Sequence, residues 1–429
     1  MSRLIYGIDF GTSNSVIEVY DSATGKVVSE DGLEKSIESA IFFPYGDRER
    51  YFLGKQAIHQ YVASGMQGRL IKSIKSALPE PSLGTLSIYG KKVKIELLVS
   101  YFLSHLKATC DAHFEEDVKQ VVLGRPSVFS PDTAKDALAV KRLTAAAKLA
   151  GFEEVRILRE PIAAAIHYEQ ALQSPKTVFV GDLGGGTSDF CIMQLRPDAG
   201  ATTDRQEDII ATSGIKVGGD DFDAEIMWHK LVPYFGLDAE YESFGKWLPV
   251  PIHIFKTICS WEKLSLLRSV DMQQSLKKFH FYSNEKEKLA RLLTLINKNL
   301  GFAIIKEVEK AKIGLGGAEE QFISYAKENI TIETLLMREE TPEILEKQVR
   351  NIETSVEKLL KENGLSPADI DVVFLTGGSS LVHPVAALFD RIFGAEKIQG
   401  GNAFKSIAHG LAASASYLFS APAVSYTDG

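Results

Sequence analysis

The chain has 429 residues, 45% apolar and 24% charged, which favours two or more globular domains. Its net charge of −8 and its lack of a Lys/Arg cluster argue against a nucleic-acid surface. Cys110, Cys191 and Cys259 are far apart without a CxxC motif, which indicates neither disulfides nor a zinc site. No secretory signal or apolar run of about 18 residues is present, so we expect a cytoplasmic protein that binds no membrane.

The first half of the chain opens with strand-like segments and then becomes largely helical. The segments 4–10, 15–21 and 26–30 predict a hairpin meander, with the turn-forming sequence SATG before the third strand. Residues 39–96 are mixed in pattern and predict an inserted subdomain. The following pattern predicts, in chain order, a helix over 96–114, a strand over 118–124, a helix over 130–151 and a helix that begins near 159.

The second half repeats this plan. It predicts hairpin strands over 178–195, a strand over 208–217 and a mostly helical stretch from about 220 to 316. An amphipathic helix over 342–364, a strand over 371–378 and helices that begin near Pro384 and Phe404 complete it. The two similar halves predict a duplicated α/β domain.

Two glycine-bearing turns share one layout, in which an Asp at the end of a strand precedes glycines and hydroxyl residues. The first turn follows Asp9 in GIDFGTSNS, and the second follows Asp182 in GDLGGGTSDF. A single turn of this kind is as often purely structural. The duplication, the three consecutive glycines and the flanking hydroxyls instead favour an anion site made of backbone N–H groups. Phosphate is the expected ligand, with Mg²⁺ held by Asp9 and Asp182 directly or through water.

A third glycine motif, LTGGSSLVHPV at 375–385, ends a strand and begins a helix. It could approach a flat ligand such as a nucleoside or serve as a structural strand-to-helix turn. No GxxxxGK[ST] or strand-linked GxGxxG sequence occurs, so a P-loop and a dinucleotide fingerprint are excluded.

These motifs resemble the actin, sugar-kinase and seventy-kilodalton heat-shock ATPase superfamily, above all the nucleotide-binding domain of DnaK-type chaperones. The three glycine motifs match the two phosphate motifs and the adenosine motif of that family. The connecting segments GRPSVFS, REPIAAAIHYE and SIAHGLAA and the lobe-entry segment VGGDDFD also match. The length and the LPVP sequence at 248–251 resemble the YegD-like branch. The resemblance implies a ribonuclease H-like (actin-like ATPase) fold, with two α/β lobes and their inserted subdomains around a nucleotide cleft.

The resemblance also implies roles for individual residues. Catalysis is expected from Glu160, which would orient or deprotonate the attacking water, from Asp182 and Thr187, and from Lys72, with Lys75 as the alternative lysine. Asp9 and Asp182 are the expected Mg²⁺ residues. The expected nucleotide contacts are Gly11, Thr12, Ser13, Asn14, Gly184, Gly185, Gly186, Thr187, Gly218, Gly219, Glu309, Lys312, Gly377, Gly378 and Ser379.

The chain departs from the family at the expected base site. Ile313 stands where the chaperones have an arginine that stacks on adenine, and Gly316 replaces a serine. The loss of the guanidinium stack predicts weaker nucleotide binding than in the chaperones.

The expected domains are the first lobe (1–38 and 97–175) with its insertion (39–96) and the second lobe (176–215 and 337–429) with its insertion (216–336). We expect a monomeric, chaperone-like, weak ATPase that binds ATP or ADP with Mg²⁺, signals to a protein partner by lobe movement and lacks a peptide-binding domain. The alternatives are an actin-like filament-forming ATPase, which the match at 217–223 disfavours, and a small-molecule kinase, which Glu160 disfavours.

Overall fold

The computed structural model describes residues 3–28, 33–47, 49–169, 172–197, 206–400 and 403–419. Its strands are β1 (Leu4–Phe10), β2 (Asn14–Asp21), β3 (Lys26–Val28), β4 (Ser36–Glu38), β5 (Ala40–Phe43), β6 (Phe52–Leu53), β7 (Arg69–Lys72), β8 (Thr85–Ile88), β9 (Lys91–Lys94), β10 (Gln120–Arg125), β11 (Glu154–Arg159), β12 (Lys176–Leu183), β13 (Ser188–Leu195), β14 (Ile209–Ile215), β15 (Glu240–Ser243), β16 (Lys246–Pro249), β17 (Glu320–Lys327), β18 (Ile330–Met337), β19 (Val372–Thr376) and β20 (Ile398–Gly400). Its helices are α1 (Gly54–Ala63), α2 (Ile95–Phe114), α3 (Thr133–Leu149), α4 (Glu160–Glu169), α5 (Gly219–Lys230), α6 (Ile252–Ile258), α7 (Val270–Tyr282), α8 (Lys286–Asn297), α9 (Gly301–Gly314), α10 (Thr341–Ile344), α11 (Glu346–Glu362), α12 (His383–Phe393) and α13 (Ala403–Leu418).

Two large sheets have the same strand order. The first sheet has the order β11-β10-β1-β2-β3, with β4 also paired to β2. From the equivalent edge, the second has the order β20-β19-β12-β13-β14. In each, a meander of three antiparallel strands is extended by two parallel strands. The architecture confirms the predicted α/β class and is consistent with the predicted duplication.

Helices α4 and α13 lie between the two sheets. Helix α4 packs against β12 and β13, whereas α13 packs against β1 and β2, so each helix contacts the sheet of the other half. Their apolar residues share one buried cluster with both sheets. The helices touch through their backbones, because a Cβ atom on Gly410 would lie 1.8 Å from the carbonyl oxygen of Ala163. Only glycine fits at this crossing.

Amphipathic helices cover the outer faces of the sheets. Leu98, Phe102 and Leu106 of α2 are buried in a cluster that also contains residues of β1, β2 and α3. Helix α11 buries Ile352 and Val356 and packs against β14 and α12. The helical spacing of apolar residues predicted both helices, since it gives each one a continuous face toward its sheet.

Smaller elements extend from each half. Strands β5 to β7 form a three-stranded sheet with the order β6-β5-β7, next to α1 and the β8–β9 hairpin. In the second half, helices α5 to α9 are accompanied by the hairpins β15–β16 and β17–β18. Helices α5 to α9 occupy the stretch 220–316 that was predicted to be mostly helical, and the hairpin β15–β16 is an element of it that the sequence did not indicate. Residues 29 and 30 of the predicted third strand lie outside the described residues, as does the tail 420–429 of the predicted second lobe.

Candidate functional site

The first glycine turn lies between β1 and β2, where Asp9 pairs with Val16. The hydroxyl of Ser39 donates to the carbonyl of Gly11 at 2.7 Å, and its N–H donates to the carbonyl of Ser13 at 2.8 Å. Ser39 therefore holds this turn from the side that faces away from the cavity, and the opposite side of the turn lines the cavity.

The second glycine turn joins β12 to β13 and is closed by a hydrogen bond from Gly184 N–H to the Thr187 carbonyl at 2.9 Å. The start of α5 docks on it, because the N–H groups of Gly219 and Asp220 donate to the carbonyls of Gly184 and Gly185 at 3.1 and 2.7 Å. The predicted residues around 184 and 218 therefore form one unit.

The third glycine motif lies beside the second. Gly377 has φ +81°, and a Cβ atom there would lie 2.1 Å from the carbonyl oxygen of Leu183, so only glycine fits. The hydroxyl of Ser379 donates to the carbonyl of Gly184 at 2.7 Å. The strand-to-helix turn thus contributes to the same cavity wall.

A cleft of about 340 Å³ separates the first turn from the other two, within the usual size range of small-molecule sites. Most of the predicted site residues line it together, namely Asp9, Gly11, Thr12, Ser13, Asn14, Glu160, Asp182, Gly184, Gly185, Thr187, Gly219, Glu309, Lys312, Gly377, Gly378 and Ser379. Lys72, Gly186 and Gly218 are not among the lining residues. Lining residues that we did not predict include Asp220, Asp223, Leu381 and Val382.

A buried ion pair lies on the cleft wall. The ammonium of Lys75 lies 2.8 Å from Oε1 of Glu160, and both side chains are at least 89% buried. Thr376 donates its hydroxyl to Asp182 at 2.9 Å, whereas Oδ1 of Asp9 is buried without a hydrogen-bond partner among the described residues. Three carboxylates therefore face one ammonium group.

Burial, together with this excess of negative charge, shifts the ionisation of the site. Burial, reinforced by the Glu160 carboxylate, raises the pKa of Asp9 to about 8 and that of Asp182 to about 6. The pKa of Asp189, which also receives a hydrogen bond from Thr187, is raised well above its usual value by burial first and by neighbouring carboxylates second. Burial lowers the pKa of Lys75, but its carboxylate neighbours outweigh burial and the pKa is raised. The site is therefore suited to a ligand that brings positive charge.

The carboxylates fit a hydrated Mg²⁺ ion. Asp9 and Asp182 supply hard oxygen ligands, and the unpartnered Oδ1 of Asp9 has acceptor capacity that only a cation or a donor can satisfy. Among the described residues no group of three or more His, Cys, Asp or Glu side chains could hold a metal ion by itself. Mg²⁺ commonly keeps several waters and takes one or two carboxylates plus phosphate oxygens.

The structure places Lys75, not Lys72, on the cleft wall. Lys72 ends β7, and its Nζ lies 5.8 Å from the ring centre of Phe302. Ser73 then takes the left-handed conformation (φ 53°) and begins the short 3₁₀ turn that directs Lys75 toward Glu160. The sequence favoured Lys72 as the catalytic lysine, which does not fit this geometry. The left-handed conformation of Ser73 changes which of the two lysines faces the cleft.

We refer to the part of the cleft that contains the predicted adenosine contacts as its far end. Lys312 on α9 lies 2.8 Å from a carboxylate oxygen of Asp223 and donates to the carbonyl of Gly219 at 3.0 Å. Glu309, one turn earlier, pairs with Lys306 at 2.6 Å. Asp223 belongs to the segment 217–223, so the lobe-entry motif was the signal that could have identified it.

Helix α9 also takes part in contacts that bridge the cleft from one half to the other. The side-chain amide of Asn299 donates to the hydroxyl of Tyr61 at 2.6 Å and to the carbonyl of Met66 at 2.9 Å. The rings of Tyr61 and Phe302 meet edge to face at 5.5 Å, and the guanidinium of Arg268 donates to the side-chain oxygen Oδ1 of Asn299 at 3.2 Å. We refer to the contacts of Asn299 and Phe302 with Tyr61 and Met66 as the cleft bridge.

One comparison places the chain among known proteins. The family model described as "Hsp70 protein" matches residues 75–239 and 280–425, which is more than half of the chain. The matched ranges include Lys75, Glu160 and the second and third glycine motifs. Among the described residues, no helix is long and apolar enough to cross a membrane.

Proposed function

The chain belongs to the Hsp70 family, and from that premise we propose that it binds ATP with Mg²⁺ in the cleft, hydrolyses ATP slowly and couples hydrolysis to opening and closing of the cleft. Family domains of this kind bind ATP or ADP with Mg²⁺. We also propose a chaperone-like output in which a protein partner senses the state of the cleft. Membership of the YegD-like branch and a cytoplasmic location stay predictions.

One observation carries the proposal: two Asp-glycine turns meet around a cleft whose wall holds the buried Lys75–Glu160 pair. Exposed backbone N–H groups at such turns bind phosphate oxygens. The carboxylates of Asp9, Asp182 and Glu160 would repel a polyphosphate on their own, so binding requires a cation. Bound Mg²⁺ would neutralise charge on the phosphates, with Asp9 and Asp182 as the residues that hold it.

The remaining residues supply positioning and proton transfer. We assign to Glu160 the role of accepting a proton from the attacking water, whose oxygen forms a bond to the γ-phosphorus as the bond to the ADP oxygen breaks. Lys75 holds the Glu160 carboxylate in place through the 2.8 Å ion pair. We assign to Thr187, in the second turn, a hydrogen bond to the terminal phosphate that replaces its hydrogen bond to Asp189. ADP and inorganic phosphate are then the products.

Calorimetric titration with ADP, with and without Mg²⁺, tests the binding part of the proposal. We expect the parent to bind ADP much more tightly with Mg²⁺. Asp9→Asn should remove most of that difference, because it removes one of the two carboxylates for the ion. ADP affinity in the parent that does not depend on Mg²⁺ would contradict the two-carboxylate site.

Phosphate release from ATP tests the catalytic part. Glu160→Gln should reduce the rate by about 100-fold or more while ADP still binds. Glu153→Gln is the control, because Glu153 is exposed directly before β11 and does not line the cleft. Equal rates for the parent and Glu160→Gln would reject the assigned role. Transfer of labelled phosphate to a small hydroxyl compound in place of water would favour the kinase alternative.

A further inference from the structure

Two exposed aliphatic side chains line the far end of the cleft. Ile313 on α9 is 67% exposed, and Leu381, at the end of the 3₁₀ turn Gly378–Leu381, is 69% exposed. They come from separate elements but line the same cavity. Large apolar side chains that line a concave site lose this unfavourable exposure when a ligand covers them.

The polar side chains at this end are already engaged within the protein. Lys312 contacts Asp223 and the carbonyl of Gly219, Glu309 pairs with Lys306, and Ser379 donates to the carbonyl of Gly184. A binding site discriminates strongly between two bases when its polar groups hydrogen-bond to one of them, because the other base leaves those groups unpaired. Ile313 and Leu381 have no polar side-chain groups, so either one could contact a ring only through apolar atoms.

We propose that Ile313 and Leu381 hold the base of the nucleotide between them and that the site therefore accepts adenine and guanine nucleotides with similar affinity. This inference rests on the proposed function, which places the phosphates at the glycine turns and so leaves the base for the far end. The contact is dispersion and apolar burial against the ring faces, which both purines offer equally. The two side chains that contact the base are thus both aliphatic, and neither distinguishes adenine from guanine.

Calorimetric titration of the parent with ADP, GDP, CDP and pyrophosphate, each with Mg²⁺, tests the inference. We expect ADP and GDP to bind within about threefold of each other, and CDP about fivefold more weakly because its single ring covers less apolar surface. Pyrophosphate, which has no base, should bind most weakly. A preference of more than about 20-fold for ADP over GDP would overturn the inference and leave the proposed function intact.

Alanine variants separate the base contact from the phosphate contact. Ile313→Ala and Leu381→Ala should each weaken ADP and GDP by about fivefold and leave pyrophosphate unchanged. Leu266→Ala is the matched control, because Leu266 is 66% exposed and does not line the cleft. Unchanged ADP affinity in both cleft variants would overturn the inference. A parent that binds neither ADP nor pyrophosphate would overturn the proposed function and the inference together.

Discussion

The cleft bridge predicts how fast nucleotide leaves. Helix α9 carries Phe302 in the bridge and Lys312 at the far end of the cleft, so ADP release by separation of the two halves must break the Asn299 contacts. Asn299→Gly removes the two hydrogen bonds of Asn299 that cross the cleft, to Tyr61 and Met66, each worth about 1 kcal/mol; its bond with Arg268 lies within the same half. Glycine also tolerates the left-handed backbone at this position (φ 56°). The loss of about 2 kcal/mol predicts ADP release roughly 30-fold faster.

Stopped-flow release of a fluorescent ADP, chased by unlabelled ADP with Mg²⁺ present, measures this rate. Tyr61→Phe removes one of the two hydrogen bonds but keeps the ring against Phe302, so it should accelerate release about fivefold. The double variant should be no faster than Asn299→Gly alone, because the Tyr61 bond is already lost there. Glu328→Gly, at another left-handed position (φ 57°) in the turn between β17 and β18, should have no effect. An unchanged rate in a correctly folded Asn299→Gly protein would refute opening at the bridge.

Three further predictions concern the cleft wall and the helix crossing. Lys75→Met should slow ATP hydrolysis by about 100-fold in a phosphate-release assay, whereas Lys72→Met should leave the rate within about twofold; the reverse result would restore Lys72 as the catalytic lysine. Thr187→Ala should slow hydrolysis about tenfold with little change in ADP affinity by calorimetry, because its contact is to a phosphate that ADP lacks; equal losses would disprove that placement. Gly410→Ala should lower the free energy of unfolding by about 2 kcal/mol despite the better helix propensity of alanine, while Gly317→Ala, in open space, should be near neutral in the same denaturant titration.

Much of the fold could be predicted because its signals are local. The apolar spacing of α2 and α11 and the hairpin pattern before and after each glycine turn are properties of short segments. The β15–β16 hairpin was missed because its turn, Phe244-Gly245, has positive φ at both residues, and phenylalanine is not a residue that signals such a turn. The side chain of Phe244 is fully exposed, so the turn is held by the pairing of β15 with β16, which local propensity does not describe.

The site was predictable where sequence motifs fix it and unpredictable where it depends on long-range packing. The glycine turns were identified from residue type and order alone. Lys72 and Lys75 are three residues apart in similar surroundings, and only the conformation of Ser73 and the distant position of Glu160 distinguish them. Leu381 lies two residues after Ser379, and only the long-range packing of α9 brings Ile313 to the same cavity.

The repeated strand order gives the molecule an approximate internal symmetry, and function requires that symmetry to be broken. Helices α4 and α13 follow the last strands of equivalent sheets, so a rotation that exchanges the halves also exchanges these helices. Helix α4 begins with Glu160, whereas α13 begins with Ala403. A perfectly symmetric cleft would accept an elongated ligand in two opposite directions. The Lys75–Glu160 pair on one wall and the aliphatic pair Ile313 and Leu381 at one end would give the cleft a polarity, so that two similar halves would form a binding site that distinguishes the head of its ligand from the tail.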